Sequence, residues 1–561
     1  MKTMYKAIIA AAAVLLLMPS CTAKFEEMNI SPNSPSSSTV DPKLEFQYAV
    51  ARSISYRNTY QGSEAITFTT FAEYDGNSTQ SCSDYSIPNG DLSDFWERGY
   101  SCLANLNNII RLYENDEVNV NLVAMSKIWR ATVVLRVTDL YGDVPFSEAC
   151  SAEATAPKYD SQADIYKALF ADLEEAARAL DTNKPNIGNY DLIYAGDVAK
   201  WKTFANSLRL RMACRIANAD KALASAQAKA ALSAGVFASV ADEANMAMGG
   251  ESNSDYSWNP LYYGRTSSHS TVHMTKGYEN LVTGLGGIAW PDAAAKKANA
   301  NYSDEVVAAT EHPAIVDPRA PIHYIPVGQK YNPADMDKVG AWRGSQPGCA
   351  NPTTLSGEFT DGSGDNATNY SPVGPFFYAT ANKPWSVMKY AEVCFLKAIA
   401  IENGLASASE AGCSAQAAYE AGIKADLEFF GVPAETINAY IASTEKNTYG
   451  TSVLYSDHSG SCNTAMDKIL TQKYIAGFLE GALEAWSDHR QYHKPTLVPF
   501  AHVVGTFQRS KSDVDNNTPN AYIKRFYYPT SEQTLNPENY NAAVSKLGED
   551  SVQKNVWWDK D

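Results

Sequence analysis

The sequence predicts a mainly α-helical protein in which helical hairpins at both ends hold a loop-rich insert with short β-strands. Two observations predict this. Apolar residues recur every three or four positions through most of the chain, the spacing of one helix face. The exception is a central stretch, about residues 246 to 385, dense in Gly, Pro, Ser, Asn and Tyr.

The first residues do not belong to that fold. Lys2 and Lys6 precede "AIIAAAAVLLLM", residues 7–18. A dozen apolar residues fall short of the roughly 20 that span a bilayer. A basic start, a short apolar core and a small residue before a break describe an export signal over residues 1–20. Cys21 follows Ser20. "LMPSC" resembles the lipobox of bacterial lipoproteins, which implies a lipidated Cys21. The alternative is an ordinary export signal with an incidental cysteine. Acyl chains anchor by about 0.8 kcal/mol per buried CH2. "TAKFEE" at 22–27 resembles the surface-export signal of Bacteroidetes lipoproteins. The Ser-, Pro- and Asn-rich "NISPNSPSSSTVDP", residues 29–42, completes a tether over 21–42 that cannot bury a core.

Composition narrows the function. The 561 residues carry 46 basic and 63 acidic side chains, a net charge of −17. Removing residues 1–20 takes away two lysines and no acid, leaving −19. Such a chain repels nucleic acid, so no nucleic-acid partner is expected. Aromatics reach 11%, with 33 Tyr and 10 Trp. In an exported protein they suit the apolar faces of sugar rings as well as a core. Beyond Cys21 are Cys82, Cys102, Cys150, Cys214, Cys349, Cys394, Cys413 and Cys462, with no CxxC among them. Most are expected as free thiols, because Cys214 and Cys394 sit inside apolar helical patterns.

From residue 43 to 561 a single domain is expected: helical hairpins over 43–245, the insert over 246–385 and a helical part over 386–561. In "NLVAMSKIWRATVVLRVTDLYG", Leu122, Met125, Trp129, Val133, Val137 and Leu140 share a face, and Gly142 stops the helix. Further helices are predicted over 162–181, 198–218, 221–234, 386–403, 414–430, 434–443 and 464–490. Asn536 and Pro537 mark a helix start, and "RFYYP" is extended because the residue before proline avoids helix. Trp486 of "EAWSDHRQY" faces a core, while Asp488 and Arg490, two apart, need partners elsewhere. The insert reads as long loops with short strands, and loops on a rigid scaffold carry binding sites.

Several phrases together resemble one family. They are "FEEMNISPNSP" (25–35), "DLYGDVPFSEA" (139–149), "LRLRMACRIAN" (208–218), "AEVCFLKAIA" (391–400), "GALEAWSDHRQY" (481–492), "RFYYPTSEQTLNPENYNAAV" (525–544) and "VWWDK" (556–560). In this order they resemble the SusD/RagB family of nutrient-binding outer-membrane lipoproteins. The resemblance implies a SusD-like fold with tetratricopeptide-like hairpins. It implies a SusC-like TonB-dependent transporter as partner, a location on the outside of the outer membrane through the lipid anchor, and capture of an oligosaccharide, or in some members a peptide, without catalysis. It carries over no binding residue, because the family's binding loops have no fixed motif. His489 departs from the family, which often has an aromatic there.

Other chemistry finds weak footing. Ser386 and Lys389 match S-x-x-K, but no K-T-G follows. His489 and His493 are spaced i, i+4, without the Glu of a HExxH zinc site and with Pro495 close behind. No cofactor is expected. "DVDNN" (513–517) and "DGSGDN" (361–366) offer oxygens to a structural calcium ion but lack the EF-hand glutamate. "GLGG" (284–287) lacks the strand-to-helix setting of a nucleotide loop. A lipid-anchored hydrolase with paired carboxylates is the rival class. A sugar site needs flat aromatics with polar partners. The candidates are Tyr74, Tyr85 and Trp96, with Asp75 and Asn77 beside them, and in the insert Trp258, Tyr262, Tyr263, Arg265, Trp290, Trp342 and Arg343. For each, packing in the core is the competing role.

Overall fold

Six helices build the first half of the scaffold in the computed structural model, which describes residues 40–54, 67–76, 89–151, 154–250, 259–262, 272–289, 313–325, 342, 344, 371–497 and 523–560. Cys21 and most of the tether lie outside the described residues. The first helices are α1 (Pro42–Ile54), α2 (Asn89–Tyr113), α3 (Val120–Tyr141), α4 (Gln162–Ala179), α5 (Val198–Arg215) and α6 (Lys221–Ala234). Each from α2 onward packs on the next, and α1 lies on α2. The apolar face read from sequence is buried in α3: Leu122, Met125, Trp129, Val133, Val137 and Leu140. Gly142, at φ +84°, ends that helix, its N–H returning to Thr138 O. Side-chain caps open the later helices: Ser161 accepts from Asp164 N, Asp197 from Ala199 N and Lys200 N, and Asp220 from Leu223 N.

Among the described residues, three two-stranded ribbons punctuate the helices. β1 (Val144–Pro145) pairs with β2 (Tyr159–Asp160) between α3 and α4. β3 (Ala244–Met246) pairs with the distant β6 (Trp385–Met388), with Met246 opposite Trp385. Between them, β4 (Thr283–Ala289) pairs with β5 (Ile315–Val316). "GLGG" lies in β4, directly after a short helix, Lys276–Val282. Gly286 has φ +87°, and a Cβ there would strike the Tyr440 ring at 2.1 Å, so the strand can cross that ring only as glycine.

The second helical half comprises α7 (Tyr390–Glu402), α8 (Ala415–Phe429), α9 (Ala465–Ala476) and α10 (Ala482–Tyr492), with shorter helices between and after. Two differences from the sequence reading have physical causes. The helix predicted over 386–403 starts only at Tyr390, because Trp385 and Met388 are buried in β6 and Lys389 is the N-cap. The helix predicted over 464–490 is two helices. Gly477 and Gly481 lie so close that a Cβ on Gly481 would be 2.8 Å from Gly477 O, and Leu479 adopts φ +61°. The predicted helix start at Pro537 is present, and "RFYYP" lies outside any helix. Asn536 makes no cap hydrogen bond, however; its amide donates to Pro157 O at 2.7 Å.

Several of the quoted phrases, those carrying Asp139, Arg215, Arg490, Arg525 and Trp558, meet around Asp139. Its carboxylate accepts from Arg215 (3.0 Å), Tyr166 OH (2.7 Å) and Trp558 Nε1 (2.7 Å). Arg490 donates to the Asp139 carbonyl at 2.8 Å and stacks over Trp486 at 3.7 Å and Trp558 at 4.5 Å. Arg525 donates to Tyr141 O. Asp488 pairs instead with Lys473 of α9. These residues are a packing hub that joins the two ends of the chain. A second hub ties in the insert. Arg319, fully buried, bonds Asp317 at 2.7 Å, Asp426 of α8 at 3.0 Å, Tyr440 OH at 3.0 Å and Gln472 of α9 at 2.6 Å.

Candidate functional site

Burial decides most of the candidates that are described. The Tyr74 ring is fully buried against Tyr474, Tyr278 and Phe478, and its hydroxyl donates to Tyr474 O at 2.5 Å. Burial holds that phenol well above its ordinary pKa. Trp96 packs in a separate cluster with Tyr100 (4.8 Å), Tyr141 (5.1 Å) and Tyr528 (6.2 Å). Trp342 is also buried. These three are corrected from sugar platforms to core: a ring with no exposed face cannot stack on a sugar. Asp75 is buried too, and its role is structural. Tyr262 is half-buried at the end of a turn in which Asn259 Oδ1 accepts from Leu261 N and Tyr262 N. Asn77, Tyr85, Trp258, Tyr263, Arg265, Trp290 and Arg343 lie outside the described residues, as do both calcium candidates and Cys21.

The buried candidates nevertheless mark a place. Asp75 Oδ1 accepts from His273 N at 2.9 Å, and Gly76 N donates back to His273 O at 2.8 Å. Thr275 Oγ1 donates to Glu73 O, and Tyr324 OH to Tyr74 O. Met274 N reaches Ser371 O, Ile325 N reaches Pro372 O and Val373 N reaches Val272 O, at 2.8–2.9 Å. Gly344 N donates to Glu279 Oε2 at 2.7 Å. Gly76, Val272, Ile325, Gly344 and Ser371 therefore share one neck. The stretches of chain carrying Asn77, Tyr85, Tyr263, Arg265 and Arg343 all begin or end there. Helix spacing gave no hint of this, because each link joins backbone groups far apart in sequence.

Glu73 sits at the base of the neck with φ +56°. Its carboxyl is fully buried with no hydrogen-bond partner, and burial holds it well above its ordinary pKa, so it is protonated to higher pH.

A second feature lies where β6 meets α7, α9 and α10. A cavity of about 50 Å³ is lined by Ser386, Val387, Met388 and Lys389 with Arg211, Glu392, Lys473, Glu480, Glu484 and Asp488. Most of its charges are matched: Arg211 with Glu392 (2.7 Å), Lys473 with Asp488, and Lys383 with Glu480 (2.8 Å). Arg215 pairs with Glu484 at 2.5 Å, and the surrounding guanidinium groups hold that carboxyl down to about 2. Beside it, Phe376 and Phe429 are exposed rings with centroids 5.7 Å apart. Ser386 and Lys389 do not form a Ser–Lys catalytic pair. Ser386 Oγ has no hydrogen-bond partner, and Lys389 Nζ lies over the Phe429 ring at 4.8 Å.

The histidine pair also resolves into structure. His489 is buried, which pushes its imidazole down to about 3, and its ring stands at 89° to that of His493. Among the described residues no group of three or more His, Cys, Asp or Glu could hold a metal ion. Cys102, Cys150, Cys214, Cys394, Cys413 and Cys462 are free thiols. No described helix is long and apolar enough to cross a membrane.

The model of the SusD-like family described as "Starch-binding associating with outer membrane" matches residues 37–529. The chain belongs to this family. Its fold is that of a SusD homologue from Parabacteroides distasonis, with 30% identity, 92% of this chain and 98% of that chain covered, and a TM-score of 0.77. A chitin-binding protein shares the SusD-like fold at 26% identity and a TM-score of 0.70, covering 93% of this chain and all of that one. A SusD homologue from Bacteroides uniformis follows at 25% identity, TM-score 0.68, with coverage of 93% and 100%. No curated protein sequence matches.

Proposed function

We propose that this SusD-like protein binds an oligosaccharide outside the outer membrane and delivers it to a SusC-like TonB-dependent transporter, held at the membrane by lipid on Cys21. The observation that carries the reading is the end-to-end likeness to a chitin-binding protein at 26% identity. The neck supports it: backbone bonds tie Gly76, Val272, Ile325 and Ser371 to one rigid scaffold, and loops carried on a rigid scaffold are where binding sites are built. A stacked ring contributes about 1–3 kcal/mol to a base and a similar or smaller amount to a sugar. A few such contacts give modest affinity, which suits cargo that must be released. The action is capture, without bond cleavage.

The test is calorimetric titration of residues 22–561 with plant, host and microbial oligosaccharides and with short peptides, with turnover followed in the same samples. Saturable binding of a glycan class without turnover is expected. Turnover, or binding of peptides alone, would overturn the reading. Cys21→Ser is expected to release the protein from membranes and to abolish its co-purification with the transporter.

A further inference from the structure

Of the seven charged side chains lining the cavity beside β6, six are ion-paired and one is not. Arg211, Glu392, Lys473, Glu480, Glu484 and Asp488 each have an opposite charge within 4 Å. Lys389 has no carboxylate within that distance among the described residues; its ammonium rests over Phe429 at 4.8 Å and Phe430 at 5.9 Å. Glu243 and Asp426 feel its charge but are committed elsewhere, Glu243 to the Tyr390 N–H and Asp426 to Arg319. Ser386, on the same cavity wall, is 9% exposed, and its buried Oγ has no partner. Leaving a buried hydroxyl unpaired is costly, so such a group points to something the cavity receives.

Both uncommitted groups can donate, and one is cationic. Lys389 is also the N-cap of α7, and the first N–H of that helix, on Tyr390, is already taken by Glu243, so an anion is left to Lys389 and Ser386 themselves. At about 50 Å³ the narrow part of the cavity has room for about three or four waters, enough for one carboxylate or sulfate. The rings stand outside it. Phe376 and Phe429 are 37% and 43% exposed and share Lys389 and the Lys383–Glu480 pair with the cavity wall. From this we infer that the cavity is an anion subsite for an acidic glycan. The carboxylate or sulfate of one sugar residue enters between Lys389 Nζ and Ser386 Oγ, while the apolar face of that residue rests on the exposed phenylalanines. This rests on the proposed glycan-binding function and adds a charge class to its ligand.

The experiment compares the full-length soluble protein with its Lys389→Met, Lys389→Arg and Ser386→Ala variants. The probes are glucuronate against glucose, oligogalacturonate against its methyl ester, chito-oligosaccharide and a tri-glutamate peptide. Wild type should bind each acid about tenfold more tightly than its neutral match, the scale of one charge-assisted hydrogen bond. Lys389→Met should erase that preference, Lys389→Arg restore most of it, and Ser386→Ala weaken it about threefold. Chito-oligosaccharide binding should be the same in all four proteins. Equal binding of acid and neutral partners, or a preference that survives Lys389→Met, overturns the anion subsite while leaving glycan binding intact. Tri-glutamate binding equal to that of the acidic sugars overturns the glycan assignment of the subsite. Failure of every oligosaccharide overturns the proposed function itself.

Discussion

Asp75 and His273 lie 198 residues apart, yet Asp75 Oδ1 accepts the His273 backbone N–H at 2.9 Å. The bond clamps the strap that follows the short helix Thr67–Phe71 to the insert. Asp75→Ala should strand that buried N–H at a cost of about 1–3 kcal/mol. Asp75→Asn keeps a carbonyl oxygen in place and should lose less than half as much. Denaturant midpoints measure the stability difference, and glycan titration should show Asp75→Ala binding more weakly because the neck is loosened. Wild-type stability in Asp75→Ala would remove the clamp from the argument.

Arg319 and its two carboxylate partners are fully buried together. Arg319→Met removes the cation that bridges Asp317 and Asp426 and should destabilise by about 3–5 kcal/mol, the scale for a broken buried pair. Urea unfolding followed by circular dichroism reads the loss. A change below about 1 kcal/mol would mean that water reaches the site.

Glu73 links stability to pH. Its folded pKa is raised by burial, so the folded state holds the proton to higher pH than the unfolded state. Its contribution is therefore full below about pH 4.5 and is lost as pH rises through the folded pKa. Glu73→Gln should change little at pH 4 and stabilise by about 1–3 kcal/mol at pH 8. Melting temperatures of both proteins across that range test it; a gain that is the same at every pH would contradict the linkage.

His489 has the opposite sign. Its folded pKa lies near 3, below the ordinary 6.5, so the unfolded state takes up a proton first as pH falls. The stability it contributes is present above pH 6.5 and is lost toward pH 3. Over the two pH units from 6.5 to 4.5 that loss is about 2–3 kcal/mol. His323, also buried and held neutral, adds a loss in the same direction. His489→Phe should thus reduce, and not abolish, the acid sensitivity measured by chemical unfolding at pH 4.5 and 7. An unchanged difference between those pH values would show that the folded state protonates His489 as readily as the unfolded chain does.

What could be read from the sequence was local. Leu122, Met125 and Trp129 face the core because a helix repeats every 3.6 residues, and Ser161, Asp197 and Asp220 cap because their oxygens reach N–H groups two or three residues on. The phrases around Asp139, Arg490 and Trp558 were legible as a family pattern and as packing, since a charged group on an apolar helix must find a partner. The roles of Tyr74, Trp96 and Trp342 were not legible. They stand in or beside stretches without a clean period, so nothing nearby in sequence says which side of the ring meets water. Tyr474 and Phe478 close over Tyr74 from 400 residues away. In the same way, Lys389 read as half of a catalytic pattern; only its distance from every described carboxylate, set by how β6, α8 and α9 pack, left it without an ion pair among the described residues. Local periodicity determined the helices, and long-range burial decided which aromatic and charged groups remain available to a ligand.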